Sequence, residues 1–435
     1  MLVGTVAIVG RPNVGKSTVF NRMIGDRVSI VDDTPGVTRD RIYGKCEWLT
    51  KSFNLIDTGG LQIEDQPFQI EIQAQVEIAV EEADTIVMLT DVRDGVTNDD
   101  IFIARMLQKT NKKVILAVNK VDDVSFMSSV YEFYALGLGD PVAISGVQSI
   151  GMGDLMDAIL DSFEGKEKKQ KDGLISFAVI GRPNVGKSSL VNAILNQQRV
   201  IVSDIEGTTR DAIDTPFVRD GKSYVVVDTA GIRKRGRIYE NVEKYAVLRA
   251  MRAIDNCDVV LFVLDGSSGI IEQDKHVAGY AVEAGKGIII VYNKWDLVEK
   301  DHTTMDTISK EIRAQFAYLD YAPIVFVSAL NKSRINNLFP LIDEVYDYSQ
   351  FRVQTALLNE VIADAQIITP PPTHKGKRLK INYCSQVSVA PPTFVLFVND
   401  ENLLHFSYQR YLENRIRDAF DFTGNPIRII ARKKN

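Results

Sequence analysis

Eight residues recur unchanged in this 435-residue chain: Gly10-Arg11-Pro12-Asn13-Val14-Gly15-Lys16-Ser17 and Gly181-Arg182-Pro183-Asn184-Val185-Gly186-Lys187-Ser188. Each octet follows a short apolar run (Val6 to Val9; Phe177 to Ile180) and opens a helix-like stretch (Thr18 to Ile24; Ser189 to Leu195). That is the G-x-x-x-x-G-K-[ST] loop in a strand-then-helix context, twice. Glycines let successive backbone N–H groups turn inward as an anion-binding nest. The helix starting at the lysine adds its positive dipole end. Lys16 and Lys187 are expected to reach the β- and γ-phosphates of a nucleotide, and the Ser17 and Ser188 hydroxyls to ligate Mg²⁺.

The repeat is one of domains rather than of a motif. Lys16 and Lys187 are 171 residues apart, as are Thr38 and Thr209, and Asp57 and Asp228. Asn119 and Asn293 are 174 apart, so three residues separate the two registers. Residues 33–40 and 204–211 read as mobile loops in which Thr38 and Thr209 would bond Mg²⁺ while a γ-phosphate is present. Asp57-Thr58-Gly59-Gly60 and Asp228-Thr229-Ala230-Gly231 are each expected to end an apolar strand (Phe53 to Ile56; Tyr224 to Val227). An Asp there suits a Mg²⁺ contact, and Gly60 and Gly231 let a backbone N–H approach the γ-phosphate.

Asn119-Lys120-Val121-Asp122 and Asn293-Lys294-Trp295-Asp296 follow apolar runs, at strand ends where α/β ligand sites lie. A carboxylate at Asp122 or Asp296 accepts from the N1–H and 2-amino group of guanine; adenine lacks that donor pair. Ser145 and the pair Ser328-Ala329 follow as the last loop over the base.

These motifs resemble Ras-type G domains of the translation-factor-related branch. The tandem arrangement with a third C-terminal domain resembles the Der (EngA) family of bacterial ribosome-biogenesis GTPases, over essentially the whole chain. The resemblance implies binding of GTP and GDP with Mg²⁺, and a catalytic set of Lys16, Thr38 and Gly60 with Lys187, Thr209 and Gly231. It also implies assembly of the large ribosomal subunit through its ribosomal RNA. Where Ras-like enzymes carry a water-orienting glutamine, this chain has Leu61 and Ile232, which cannot hydrogen-bond water. Slow intrinsic turnover is expected unless another device completes the site. In related loops of this type the asparagine resembles a K⁺ ligand, which assigns K⁺ to Asn13 and Asn184; either asparagine also suits a turn conformation.

The expected architecture is α/β: G domain 1 (1–163), a charged linker (164–173), G domain 2 (174–350) and a small α+β KH-like domain (351–435). The two G domains should hold mostly parallel, doubly wound sheets. In the last domain the pattern reads α-β-β-α-β, and His405 to Asn414 resembles the family's signature. A KH domain clamps RNA with a G-x-x-G loop, but residues 352–435 contain only Gly376 and Gly424. Charge still favours an anionic partner. That segment carries 12 Lys/Arg against 7 Asp/Glu, a net +5 in a chain of net −6. Lys375, Lys377, Arg378, Lys380, Arg432, Lys433 and Lys434 form two basic clusters, while Phe406, Tyr408 and Tyr411 are expected in the core. After Gly231 the second copy reads Ile232-Arg233-Lys234-Arg235-Gly236-Arg237, whereas the first is neutral to acidic after Gly60.

Three dispersed cysteines exclude a disulfide frame or zinc site. No secretory signal or transmembrane stretch is legible, so a cytoplasmic monomer contacting neither membrane nor DNA is expected. Two other readings share the motifs: a tRNA-modification or membrane-associated GTPase, and a GTP-binding scaffold with one weak site.

Overall fold

A computed structural model describes residues 2–25, 43–49, 51–60, 68–163, 174–196, 201–202, 214–229, 243–374 and 377–433. Thr38, Leu61, Thr209, Ala230, Gly231, Ile232, the 164–173 linker, the 232–237 basic run, Lys375, Gly376 and Lys434 lie outside them. By its contacts the chain divides into two compact units, residues 1–171 with 237–248, and residues 172–236 with 249–435.

Among the described residues the first unit has six strands: β1 (Leu2–Val9), β2 (Tyr43–Trp48), β3 (Lys51–Asp57), β4 (Thr85–Asp91), β5 (Lys113–Asn119) and β6 (Val142–Ala143). Their order is β2-β3-β1-β4-β5-β6, parallel except for the antiparallel edge strand β2. β4 is buried along its whole length, which is why its sequence is a near-continuous apolar run rather than an alternation. Two apolar clusters, one on each face, contain Ala7 and Val9 on one side and Val6 and Ile8 on the other.

The second unit repeats this plan with β7 (Leu174–Ile180), β8 (Ile201–Val202), β9 (Thr215–Arg219), β10 (Lys222–Val226), β11 (Val259–Asp265), β12 (Gly287–Asn293) and β13 (Ile324–Phe326). The order is β13-β12-β11-β7-β10-β9-β8. In both sheets the strand carrying the octapeptide is central, and its turn opens directly into a helix, Lys16–Ile24 or Lys187–Leu195. Strand order reverses beside that central strand, which leaves the crevice where such folds bind ligands.

The same unit contains the C-terminal domain: a helix (Thr355–Ile368), the short hairpin β14 (Thr373–His374) and β15 (Lys377–Arg378), β16 (Ile381–Ser388), β17 (Thr393–Val398), a helix (Phe406–Ala419) and β18 (Arg428–Lys433). The α-β-β-α-β reading holds, with the hairpin as an addition. Both helices pack on one face, over Cys384, Leu396 and Ile429. Asn359 bonds both backbone groups of Cys384 (2.9 and 2.8 Å), which satisfies the outer edge of β16. Of the three aromatics expected in the core, Tyr408 is buried and Tyr411 packs against it, but Phe406 is exposed. Phe406 is the first residue of its helix, with His405 as the cap, and has no turn before it to cover its ring.

This domain is seated at the start of β12, the end of the sheet away from the phosphate loop. Ile288 N–H donates to Gly424 O (2.7 Å) and Gly424 N–H to Tyr321 O (2.8 Å). Asn425, 1% exposed, donates to Val345 O at 2.8 Å. The Arg417 guanidinium lies 4.4 Å from the Tyr321 ring centre.

Candidate functional site

Each phosphate loop is closed by contacts that its residue types explain. Gly15 and Gly186 sit in the left-handed region (φ 92° and 97°) at the start of their helices. A Cβ on either would lie 2.6 or 2.3 Å from the amide of Asn119 or Asn293. Those asparagines donate to Val14 O (2.8 Å) and Val185 O (2.9 Å), and accept from Gly146 N–H (2.9 Å) and Ala329 N–H (3.1 Å). One side chain thus ties the phosphate loop to the base loop in each copy. Val14 and Val185 are fully buried beneath the loops, while Pro12, Thr18, Pro183 and Ser189 are exposed.

The loop lysines curl back over the mouth. Lys16 Nζ donates to Gly10 O and Arg11 O (2.7 and 3.0 Å), and Lys187 Nζ to Gly181 O and Arg182 O (2.8 and 2.7 Å). Burial pushes the Lys187 amine down to about 8, against the opposing field of Asp274.

In the first copy Ser17 donates to Asp57 Oδ2 (2.7 Å), and Gly59 N–H donates to Asp57 Oδ1 (2.9 Å). Gly60 follows in the same short 3₁₀ turn. A hydroxyl and a carboxylate held together beside an anion nest suit Mg²⁺, which binds through one or two protein oxygens plus phosphate. No cluster of three or more His, Cys, Asp or Glu exists among the described residues.

The second copy departs from the expectation that its Asp ends a strand. β10 stops at Val226, and Asp228 sits in a turn at φ 58°, its N–H bonded to Asp214 Oδ1 (3.0 Å). Thr229 pairs with the Thr215 hydroxyl (2.8 Å), whereas Thr58 donates to Ile8 O (2.7 Å). The repeated D-T-x-G sequence therefore has two backbone settings. Ser188 is brought to the start of its helix as Ser17 is.

Asn13 and Asn184 both adopt left-handed backbone (φ 64° and 66°), a conformation that asparagine tolerates. The turn reading of these residues is satisfied whatever else they bind. Lys120 donates to Asn13 O (2.9 Å) and pairs with Asp91, and Lys294 pairs with Asp265 at 2.6 Å. Burial opposes ionisation of Asp265, yet bonds from Lys294 and Ser267 hold its carboxyl down at about 2. At the base end Ser145 donates to Asp122 Oδ1 (2.5 Å) and Ser328 to Asp296 Oδ1.

Sequence reading missed the residues behind the loop arginines. Arg11 pairs with Asp94 (2.6 Å) and lies 3.6 Å from the fully buried Asp100; Arg182 lies 3.2 Å from the fully buried Asp274 and donates to Ser268 Oγ (2.6 Å). Burial raises both Asp100 and Asp274, against their hydrogen bonds and arginines. A signal for them existed. Asp91 and Asp265, like Asp100 and Asp274, keep the 174-residue offset of the asparagines.

The family described as "50S ribosome-binding GTPase" matches residues 5–120 and again 176–294. The family "KH-domain-like of EngA bacterial GTPase enzymes, C-terminal" matches 352–432. The GTPase Der of Geobacillus kaustophilus is 60% identical over 99% of this chain and 99% of its own length. That of Listeria monocytogenes is 59% identical with the same coverage. The chain belongs to the Der family. It is therefore a GTP-hydrolysing enzyme that binds GTP and GDP at P-loop domains, here two in tandem. The matched spans include both G domains and the KH-like end. No helix among the described residues is long and apolar enough to cross a membrane.

Proposed function

We propose that this enzyme is a molecular switch in assembly or maturation of the large ribosomal subunit, acting through ribosomal RNA. The observation that carries this reading is the double match to a family described by its 50S binding, joined to a C-terminal segment of net +5. Fold alone would not license it.

In this reading G domain 1 spans 1–163, a linker 164–173, G domain 2 174–350 and the KH-like domain 351–435. Lys16 and Lys187 hold the β- and γ-phosphates, and Asp122 and Asp296 select guanine. Mg²⁺ is held by Ser17, Thr38 and Asp57, and by Ser188, Thr209 and Asp228. The contact between Ser17 and Asp57 supports the first of these sets. K⁺ beside Asn13 and Asn184 supplies the charge that an arginine finger supplies elsewhere. Equal GTP turnover in potassium and sodium buffers of matched ionic strength would remove the K⁺ role.

Co-sedimentation with isolated ribosomal subunits, with a non-hydrolysable GTP analogue and with GDP, tests the main reading. Association with the large subunit in the triphosphate state only is the expected result. No association in either state overturns it. The different settings of Asp57 and Asp228 favour two sites with unequal tasks over two interchangeable ones.

A further inference from the structure

Arg182 is engaged at both its ends. Its carbonyl accepts from Lys187 Nζ at 2.7 Å, while its guanidinium reaches the segment between β11 and the helix Glu272–Glu283. There it donates to Ser268 Oγ (2.6 Å) and Gly269 O (3.1 Å), and its Nε lies 3.2 Å from Asp274 Oδ1. Those last two atoms are buried, and among the described residues neither has a hydrogen bond elsewhere. The second oxygen of Asp274 accepts from Ile271 N–H (3.1 Å) at the start of the helix. The Asp274 side chain is 0% exposed.

A helix start does not explain that carboxylate. A neutral amide oxygen would take the Ile271 N–H as well, and burying a charge is costly unless an opposite charge stands beside it. Arg182, itself only 14% exposed, is that charge. The first copy distributes the same parts differently. Thr97 stands there where the second copy has Ile271, and its hydroxyl and N–H both donate to Asp100 Oδ2 (2.7 and 3.1 Å). Arg11 stays 3.6 Å from Asp100 and pairs with the exposed Asp94 at 2.6 Å, whose counterpart is the uncharged Ser268. Among the described residues, then, Arg11 has two carboxylates to hold it and Arg182 has one.

We propose that Asp274 is a positioning residue of the second site. Through Arg182 it fixes the carbonyl on which Lys187 hangs, and so the place of the ammonium against the transferring phosphoryl group. This rests on the reading that Lys187 holds the β- and γ-phosphates. A fixed ammonium counts most in the step that redistributes charge over the phosphate oxygens, because preorganised charge needs no rearrangement at that moment. Displacing it lowers kcat more than it weakens binding.

The test uses full-length protein whose first site is disabled by Lys16→Ala, with phosphate release followed against GTP concentration. Asp274→Asn keeps an oxygen for Ile271 N–H and drops the charge. It is expected to lower kcat about ten-fold with KM within about three-fold, at a melting temperature near the parent's. Arg182→Gln is expected to do the same, and the double variant to lose no more than either single one, since both act through one contact. In Lys187→Ala protein, which reads the first site, Asp100→Asn should lose at most about two-fold because Asp94 still holds Arg11. The inference is overturned by a parental kcat in Asp274→Asn, by a loss carried by KM alone, by losses that multiply in the double variant, or by an equal loss from Asp100→Asn. Should Asp274→Asn not fold, Arg182→Gln decides by the same kcat and KM criteria. Adding Lys187→Ala to the Lys16→Ala protein separates this inference from the reading beneath it. Undiminished turnover there would sink the role of the lysine itself. Lost turnover there, with Asp274→Asn unaffected, would sink the positioning alone.

Discussion

Arg93 donates to Asp122 Oδ2 at 2.6 Å, on the carboxylate proposed to read guanine, while Ser145 holds Oδ1. Among the described residues Asp296 has no such arginine contact. In the second copy the counterpart of Arg93, at the 174-residue offset, is Ser267, which donates to Asp265 instead (2.6 Å). Guanine entering the first site must share or displace this arginine. Arg93 is 54% exposed, so solvent screens the pair, and its worth is at most about 1 kcal/mol. Replacing Arg93 with Ser, the residue of the second copy, should tighten GDP binding at the first site by about two- to five-fold. Titration with fluorescent GDP, in protein whose second site is disabled by Lys187→Ala, measures this. Weaker binding would mean that the arginine assists the base instead.

The same carboxylates set base choice. Asp122→Asn or Asp296→Asn swaps an acceptor for an amide that can donate, which suits the C2 carbonyl of xanthine rather than the guanine amino group. GTP turnover at the altered site should fall by about 10²-fold or more, because buried polar groups are left mismatched. Turnover of xanthosine triphosphate should rise at the same site. Assays with each mutation, in a background with the other P-loop lysine changed to alanine, read the two sites separately. A loss of GTP turnover without gain of the xanthine nucleotide would indicate damage rather than base reading.

Much of this site was legible because its parts are local in sequence. A glycine at 15 or 186, an asparagine at 119 or 293 and a serine at 145 or 328 announce themselves by motif, and the fold sets them around each phosphate loop. What escaped is what depends on unlike partners across the chain. Arg93 meets Asp122 only because β4 and β5 end side by side, with Asp91 opposite Asn119. Arg11 meets Asp100 through a helix start that no phosphate motif specifies. The turn at Asp228 escaped because its sequence is nearly that of Asp57, and its setting follows from Asp214 and Thr215 instead. In the C-terminal domain the element order was readable from periodicity, but the lateral row of Tyr383, Phe397 and Arg432 was not. It exists through register between three separate strands.

The seam between the second G domain and the C-terminal domain makes its own prediction. Gly424 has φ +77°, and a Cβ there would lie 2.3 Å from Val345 Cγ2. Gly424→Ala therefore meets both backbone strain and a clash, at the place where two main-chain bonds join the domains. A loss of about 2–4 kcal/mol is expected in urea unfolding of the second unit. GDP affinity at the second site should be nearly unchanged, since the seam is at the opposite end of β12. An unaltered urea midpoint would show that the seam relaxes freely.

Nucleotide binding at the second site should be coupled to a proton. Without nucleotide, burial holds the Lys187 amine down to about 8, so it is partly neutral above that pH. Phosphate charge beside it favours the ammonium and raises its pKa. Binding at the second site should therefore take up a proton between pH 8 and the raised value, and affinity should fall as pH climbs through that window. Below about pH 7 the amine is already charged in both states and the dependence should vanish. Calorimetry of GDP binding at pH 8.5, in buffers of different ionisation enthalpy, measures the uptake directly. Clear proton uptake is expected there and much less at pH 7, the diphosphate itself being fully ionised at the higher pH. Using Lys16→Ala protein confines the signal to the second site. Lys187→Arg, whose guanidinium does not deprotonate, should abolish the uptake even where it still binds. Heats independent of buffer at pH 8.5 would mean that Lys187 is already charged in the free protein, held so by Asp274 despite its burial.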